Sequence, residues 1–303
     1  MPMTAIHVYF GPDALTSPPV VRKMAMSDAF AALAEGFDDF RAMPTHLVFL
    51  AIFYVGAGVA LTALSSFGGA LQLVFPLAAG FALVGPFLAI GLYELSRRRE
   101  LGMKVGLSDA LVVASSPALP SLACLGLALV AVFAAWIAVA EGLYVWLYGA
   151  NAPSSAAALL GDVLTTHRGW LLIGLGGGIG FVFAAFVLCV TVVAFPLMLD
   201  RDVGMLPAVT TSLRLAATNP AAVATWGAIV AVLLILGALP MFIGLAVVMP
   251  VLGHGTWRFY RRAIQRDRAH EQQLQWPNMT RKPARYYSTP HSVLFPPPRE
   301  SQD

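Results

Sequence analysis

The sequence predicts an all-α fold: a polytopic membrane helix bundle of six transmembrane helices in three parallel helix-hairpin repeats. Each repeat is preceded by a cytoplasmic amphipathic helix. Three observations predict it. The 303-residue chain is 58% hydrophobic and only 12% charged, against about 45–50% and about 25% in soluble domains. Its apolar residues gather in runs long enough to cross a bilayer. Its basic residues lie almost entirely on one side of those runs. Such a composition excludes a soluble enzyme, a disordered chain and a collagen-like repeat. Two cysteines exclude a disulfide scaffold.

A hydrocarbon core of about 30 Å takes about 20 apolar helical residues. Four runs meet this plainly, at residues 45–66, 71–95, 120–147 and 170–199. The last run, 221–254 and beyond, rises about 51 Å at about 1.5 Å per residue. That is too long for one untilted span. Gly237 and Pro240 stand in its middle, where a tight turn is built. Two short spans, 221–238 and 240–259, are therefore expected, with one kinked helix as the alternative. Together residues 22–265 form the six-span domain. Residues 1–21, with four prolines, read as an N-terminal cytoplasmic arm. Residues 266–303 read as a proline-rich cytoplasmic tail. The polar stretch before residue 45 does not read as a removable signal peptide.

The linker before the first span is amphipathic. Met26, Phe30, Leu33, Phe37 and Phe40 recur at helical spacing on one face. Asp28, Glu35, Asp38 and Asp39 lie mostly on the other. A helix seeking anionic lipid carries basic residues on its polar face. This acidic one is expected to dock on the chain's own basic rim or on a partner.

Charge sets the orientation. Eighteen of the nineteen Lys and Arg residues fall before the first span, between spans two and three, between four and five, or from Arg258 onward. The opposite loops hold only Arg168. Positive-inside bias puts both termini in the cytoplasm and favours an even number of spans. The basic balance thus needs no nucleic-acid partner; the bilayer itself accounts for it.

Two internal echoes define the repeats. At an offset of 164, Pro76, Gly80, Pro86, Leu88 and Gly91 match Pro240, Gly244, Pro250, Leu252 and Gly255. Tyr93 falls on Trp257, and Arg97-Arg98 fall on Arg261-Arg262. At an offset of 102, residues 99–103 (RELGM) match 201–205 (RDVGM). Ser27-Asp28-Ala29 before span one echoes Ser108-Asp109-Ala110 before span three. All three units share one orientation, so they are parallel repeats and not the inverted pairs typical of many transporters.

The stretch FPLAAGFALVGPFLAIGLYELSRRRELG (residues 75–102) resembles the signature of an uncharacterised bacterial integral membrane family, domain of unknown function 2189. Segments 194–204 and 249–262 resemble its later motifs. The resemblance covers about residues 25–265. It implies a six-helix inner-membrane protein of alphaproteobacterial type, with no catalytic residues to transfer.

Ionisable groups within spans are candidate functional sites, because burial in lipid is costly. Glu141 lies late in span three beside Tyr144, Trp146 and Tyr148, which reads as an outer aromatic belt with an interfacial carboxylate. A proton or cation site is its alternative. His254 and His46 lie at similar inner depth. A shared metal or haem is weighed there against hydrogen-bonded structural roles, and the structural reading is preferred. Glu94 and Arg258 are repeat mates and are expected to form an ion pair. The glycines Gly174, Gly176, Gly178 and Gly180 do not fit a nucleotide loop; they read as helix-packing residues four apart in span four, Gly174 with Gly178 and Gly176 with Gly180. Cys124 and Cys189 lack metal-ligand spacing. Trp276, Tyr286, Tyr287 and Phe295 give the tail an aromatic character suited to docking on a partner. No cofactor, metal or catalytic site is expected. The expected role is that of a non-catalytic accessory, structural or assembly subunit of a larger membrane complex, for example a respiratory one. A small-solute or ion transporter or channel is the alternative.

Overall fold

The computed structural model describes residues 19–43, 86, 89–149, 153, 156–239 and 243–266. Span one, most of span two, His46, Pro240, the first eighteen residues and the tail beyond Arg266 lie outside the described residues. Among the described residues there are nine α-helices and one 3₁₀ helix, and the fold is all-α. Among the described residues, three stretches are long and apolar enough to cross a membrane: Leu119–Tyr148, His167–Arg201 and Pro220–Ala238.

Helix α1 (Met26–Ala42) starts where the Asp28 carboxylate accepts the Ala25 N–H at 2.8 Å, satisfying one of the amides a helix start leaves free. Its buried face is not the aromatic one. Ala29, Ala32, Gly36 and Asp39 are buried, whereas Met26, Phe30 and Phe37 are exposed. α1 thus docks through small and acidic residues. The surface it meets is α9 (Leu245–Ala263).

Helix α2 (Ile90–Glu100) carries the end of predicted span two and is buried from Ile90 to Ser96. It ends at Gly102, whose φ of +71° suits only glycine at low cost. The linker to the next span is a 3₁₀ helix, Leu107–Ser115, rather than the expected amphipathic α-helix. Helix α3 (Leu119–Tyr148) follows, with Pro120 in its first turn, where a missing N–H is harmless.

Helix α4 (Ala156–Thr165) turns directly into α5 (His167–Thr191). The predicted fourth span continues past α5, but its helix breaks at Val192-Val193 before α6 (Ala194–Arg201). Pro196 explains the break: its ring clashes with the carbonyl four residues back, and it has no N–H to offer. Ser212 of α7 (Met205–Thr218) repairs the gap by donating to the Cys189 carbonyl at 2.8 Å. Residues 191–199 are all buried, so this broken stretch is the centre of the core.

The last apolar run is two helices, α8 (Pro220–Ala238) and α9. Gly237 and Gly244 make their close approach. A Cβ added at Gly244 would lie 2.8 Å from the Gly237 Cα. The core itself joins α2, α6 and α9. Tyr93, Phe195 and Trp257, one from each helix, are all fully buried. Outside it, Leu127, Val130, Phe181, Val182, Phe186, Val232, Ile235 and Leu236 point outward from the span-length helices, as lipid-facing residues do.

Candidate functional site

The most elaborate polar feature is a network at the basic ends of α2 and α9, covered by α1. Its hub is Asp39, 1% exposed. A buried carboxylate is tolerated only when its lone pairs are filled and its charge is matched. Arg258 grips both oxygens, at 2.8 Å from Nε and 2.7 Å from Nη2. Arg99 Nη1 donates to Oδ1, and Ser96 Oγ donates to Oδ2 at 3.0 Å. Those four bonds use the full acceptor capacity of a carboxylate. Ser96 Oγ also lies 2.7 Å from His254 Nδ1, so a buried chain runs from His254 through Ser96 to Asp39. Both Ser96 and His254 are 0% exposed.

A second layer surrounds the hub. Glu100 accepts the Trp257 indole N–H at 3.0 Å and also bonds Arg261 and Arg266. Arg261 reaches across to Asp200, which accepts the Tyr260 hydroxyl at 2.6 Å. Arg262 joins Asp28 and Glu35, two residues on the acidic face of α1. Charge therefore fastens α1 along the last turns of α9 at three points: Asp28, Glu35 and Asp39.

The expected Glu94–Arg258 ion pair does not form. Glu94 takes Arg97 and Arg98 on its own helix, each at 2.8 Å, and Arg98 continues to Asp109 at 2.7 Å. Arg97 and Arg98 sit three and four residues on, within reach on one face of α2. Arg258 is instead taken by Asp39. Equivalent positions fix depth along a bundle, but not the direction in which a side chain points.

His254 belongs to the network, as a hydrogen-bonded core histidine. Glu141 is half-buried on α3, one turn before Tyr144. The glycine stripe of α5 divides. Gly180 packs on the Trp136 ring, 3.0 Å from an added Cβ, and Gly176 touches Leu143. Gly174 and Gly178 meet nothing among the described residues, so only one of the two pairs is packed there. The reason is geometric: residues two apart lie about 200° apart around a helix, so the two pairs cannot share one face. The hydroxyl of Thr191 is used locally, donating to the Val187 carbonyl at 2.7 Å. Cys124 and Cys189 are free thiols. No three His, Cys, Asp or Glu side chains among the described residues converge as metal ligands. His46, Trp276, Tyr286, Tyr287 and Phe295 lie outside the described residues.

Sequence reasoning missed Asp39, Ser96 and Arg99. One signal for Asp39 was present: Ala29, Ala32, Gly36 and Asp39 recur at helical spacing. A stripe of small residues ending in an acid marks a face that packs closely and delivers one charge.

Residues 74–200 match the model of a family described as "Predicted integral membrane protein (DUF2189)". No curated protein and no solved structure matches the chain.

Proposed function

Residues 74–200 carry the match to the DUF2189 family of predicted integral membrane proteins, and from that premise we propose that the chain is a non-catalytic inner-membrane scaffold. In this reading it is an accessory or assembly subunit of a larger membrane complex. It has six spans and both termini in the cytoplasm. The Asp39 hub carries the reading. Ionisable groups at the basic end are spent on holding α1, α2 and α9 to one another, which is the work of a frame. The outward apolar side chains of α3, α5 and α8 then remain for lipid and for neighbouring subunits.

The test is gentle detergent extraction of the full chain from its native membrane, followed by native mass spectrometry. A stoichiometric complex larger than the chain is expected. Truncation after Arg268 should weaken that complex without preventing membrane insertion. A chain that extracts alone, and carries solute flux in vesicles, overturns the reading. For topology, reporters fused after Ala70, Asn151 and Ala238 should all read as periplasmic.

Three parallel repeats are part of this reading, and local structure supports them. Gly102 and Gly204, mates at the 102 offset, have φ of +71° and +79°. Asp28 and Asp109, matched by the linker echo, each accept the N–H three residues before them at 2.8 Å. Asp28 pairs with Arg262 and Asp109 with Arg98, and those arginines are mates at the 164 offset. At these two junctions the basic end of one unit grips the linker of another.

One observation favours a second reading, proton-coupled transport. The His254–Ser96–Asp39 chain is a buried run of groups able to pass a proton. Vesicles loaded with a pH-sensitive dye should then acidify with the wild-type chain and not with His254→Gln.

A further inference from the structure

We infer that the cleft between the N-terminal arm and the end of α7 binds the phosphate group of an anionic phospholipid. The cleft has a volume of about 370 Å³ and is lined by residues 19–23 with Arg214, Thr218 and Asn219. Three cations, Arg22, Lys23 and Arg214, share it. Their situation is unlike that of their neighbours. Arg97, Arg98, Arg99, Arg258, Arg261 and Arg262 are each neutralised by a carboxylate. Among the described residues, the side chains of Arg22, Lys23 and Arg214 meet no carboxylate. Three like charges gathered in one hollow repel one another unless an anion is shared between them.

The cleft is built rather than incidental. The arm is pinned by backbone bonds from Arg22 N–H to the Ala263 carbonyl at 2.8 Å, and from Gln265 N–H to the Val20 carbonyl at 2.9 Å. Buried Asn219 fastens it again: its Oδ1 accepts the Met24 N–H at 2.8 Å, and its Nδ2 donates to the Arg22 carbonyl at 3.1 Å. The backbone carrying Arg22 and Lys23 is therefore held before any ligand arrives, which lowers the entropy lost on binding.

Depth selects the source of the phosphate. Asn219 is the residue immediately before α8, whose 19 residues rise about 28 Å. That matches the hydrocarbon core, so each end of α8 lies at headgroup level. The cleft is at one of those ends. Beside it, Ala221 and Ala224 are exposed on α8 and leave a shallow track for an acyl chain. A phosphate in the cleft with its chains along α8 satisfies both charge and depth.

The test uses the full chain, delipidated in neutral detergent, with native mass spectrometry to count bound molecules. The probes are dioctanoyl-phosphatidylglycerol, dioctanoyl-phosphatidylcholine and inorganic phosphate. The anionic lipid should bind as one tight equivalent, the zwitterionic lipid much more weakly. Inorganic phosphate at millimolar concentration should not displace the anionic lipid. Arg22→Gln, Lys23→Gln and Arg214→Gln should each lower its affinity about fivefold, while Lys104→Gln, in the loop after α2, should not. If the Arg22 or Lys23 variant fails to fold, Arg214→Gln alone carries the test, because its side chain is exposed on α7. Affinity unchanged in the cleft variants, or equal binding of the zwitterionic lipid, overturns the site. Full displacement by inorganic phosphate overturns the lipid source.

Discussion

Gly36 of α1 and Gly255 of α9 are in backbone contact. A Cβ built on Gly36 would lie 2.4 Å from the Gly255 nitrogen and 2.5 Å from its Cα. Such an approach brings α1 close enough for Asp39 to enter the core and meet Arg258. Trp226 closes the other side, with its ring 2.9 Å from a Cβ placed on Gly255. Two glycines and one tryptophan thus set the distance on which the charge network depends.

Gly36→Ala should therefore destabilise the protein by about 1–3 kcal/mol, the usual penalty of overpacking where backbone cannot move aside. Gly178→Ala, where an added Cβ meets nothing among the described residues, should be neutral or stabilising by up to about 1 kcal/mol from helix propensity. Thermal unfolding in detergent, followed by tryptophan fluorescence, compares the two. Equal effects would mean that the α1–α9 contact does not matter to stability.

Asp39→Asn should be worse than the loss of one ordinary hydrogen bond. It leaves Arg258 and Arg99 facing a neutral group, with an expected loss of about 3 kcal/mol or more. Ser96→Ala, which keeps the charges and removes the hydroxyl link to His254, should lose about 1–3 kcal/mol. Hydrogen exchange of residues 26–42 adds a local readout. In Asp39→Asn these amides should exchange faster than those of α3. Uniform exchange across both helices would remove Asp39 from the role of clamp.

What the sequence disclosed follows from the kind of signal each feature carries. The helices α3, α5 and α8 were legible because apolar length is a property of the chain alone. The split between α8 and α9 was legible because Gly237 and Pro240 interrupt the run. Asp39 was not, because four acids share the polar side of α1 and only the docking partner decides which is buried. Repeat position suggested Glu94 and Arg258 as a pair, but Arg97 and Arg98 on the same helix reach Glu94 first. Gly176 and Gly180 pack on α3 whereas Gly174 and Gly178 meet nothing among the described residues, because spacing says which residues share a face, not which neighbour that face takes.

The opposite end offers a pH test. Arg168 grips both oxygens of Asp162, at 2.9 and 2.8 Å, and holds its carboxyl down at about 2. A depressed carboxylate pKa contributes stability that is complete above its ordinary value, about 3.9. That contribution is lost as the pH falls from there through about 2. Between pH 5 and 7 the gap in melting temperature between wild type and Asp162→Asn should be constant. Below pH 4 it should close. A gap as large at pH 2.5 as at pH 6 would show that the Asp162–Arg168 charge pair does not anchor the α4–α5 turn.

The pairs Asp28–Arg262 and Asp109–Arg98 test the repeat by energetics rather than by likeness. Their shortest contacts are 3.1 Å and 2.7 Å when the aspartate–arginine atoms alone are compared. All four side chains are partly open to solvent, so each pair should be worth only about 0.5 kcal/mol. A double-mutant cycle isolates that coupling from the other bonds each residue makes. The cycles use Asp28→Asn with Arg262→Gln, and Asp109→Asn with Arg98→Gln. If each unit's basic end grips the next linker, both cycles should return favourable couplings of similar size. Both should shrink in high salt, because exposed pairs are screened. A coupling at one junction and none at the other would mean that the sequence echo outlived the contact it once described.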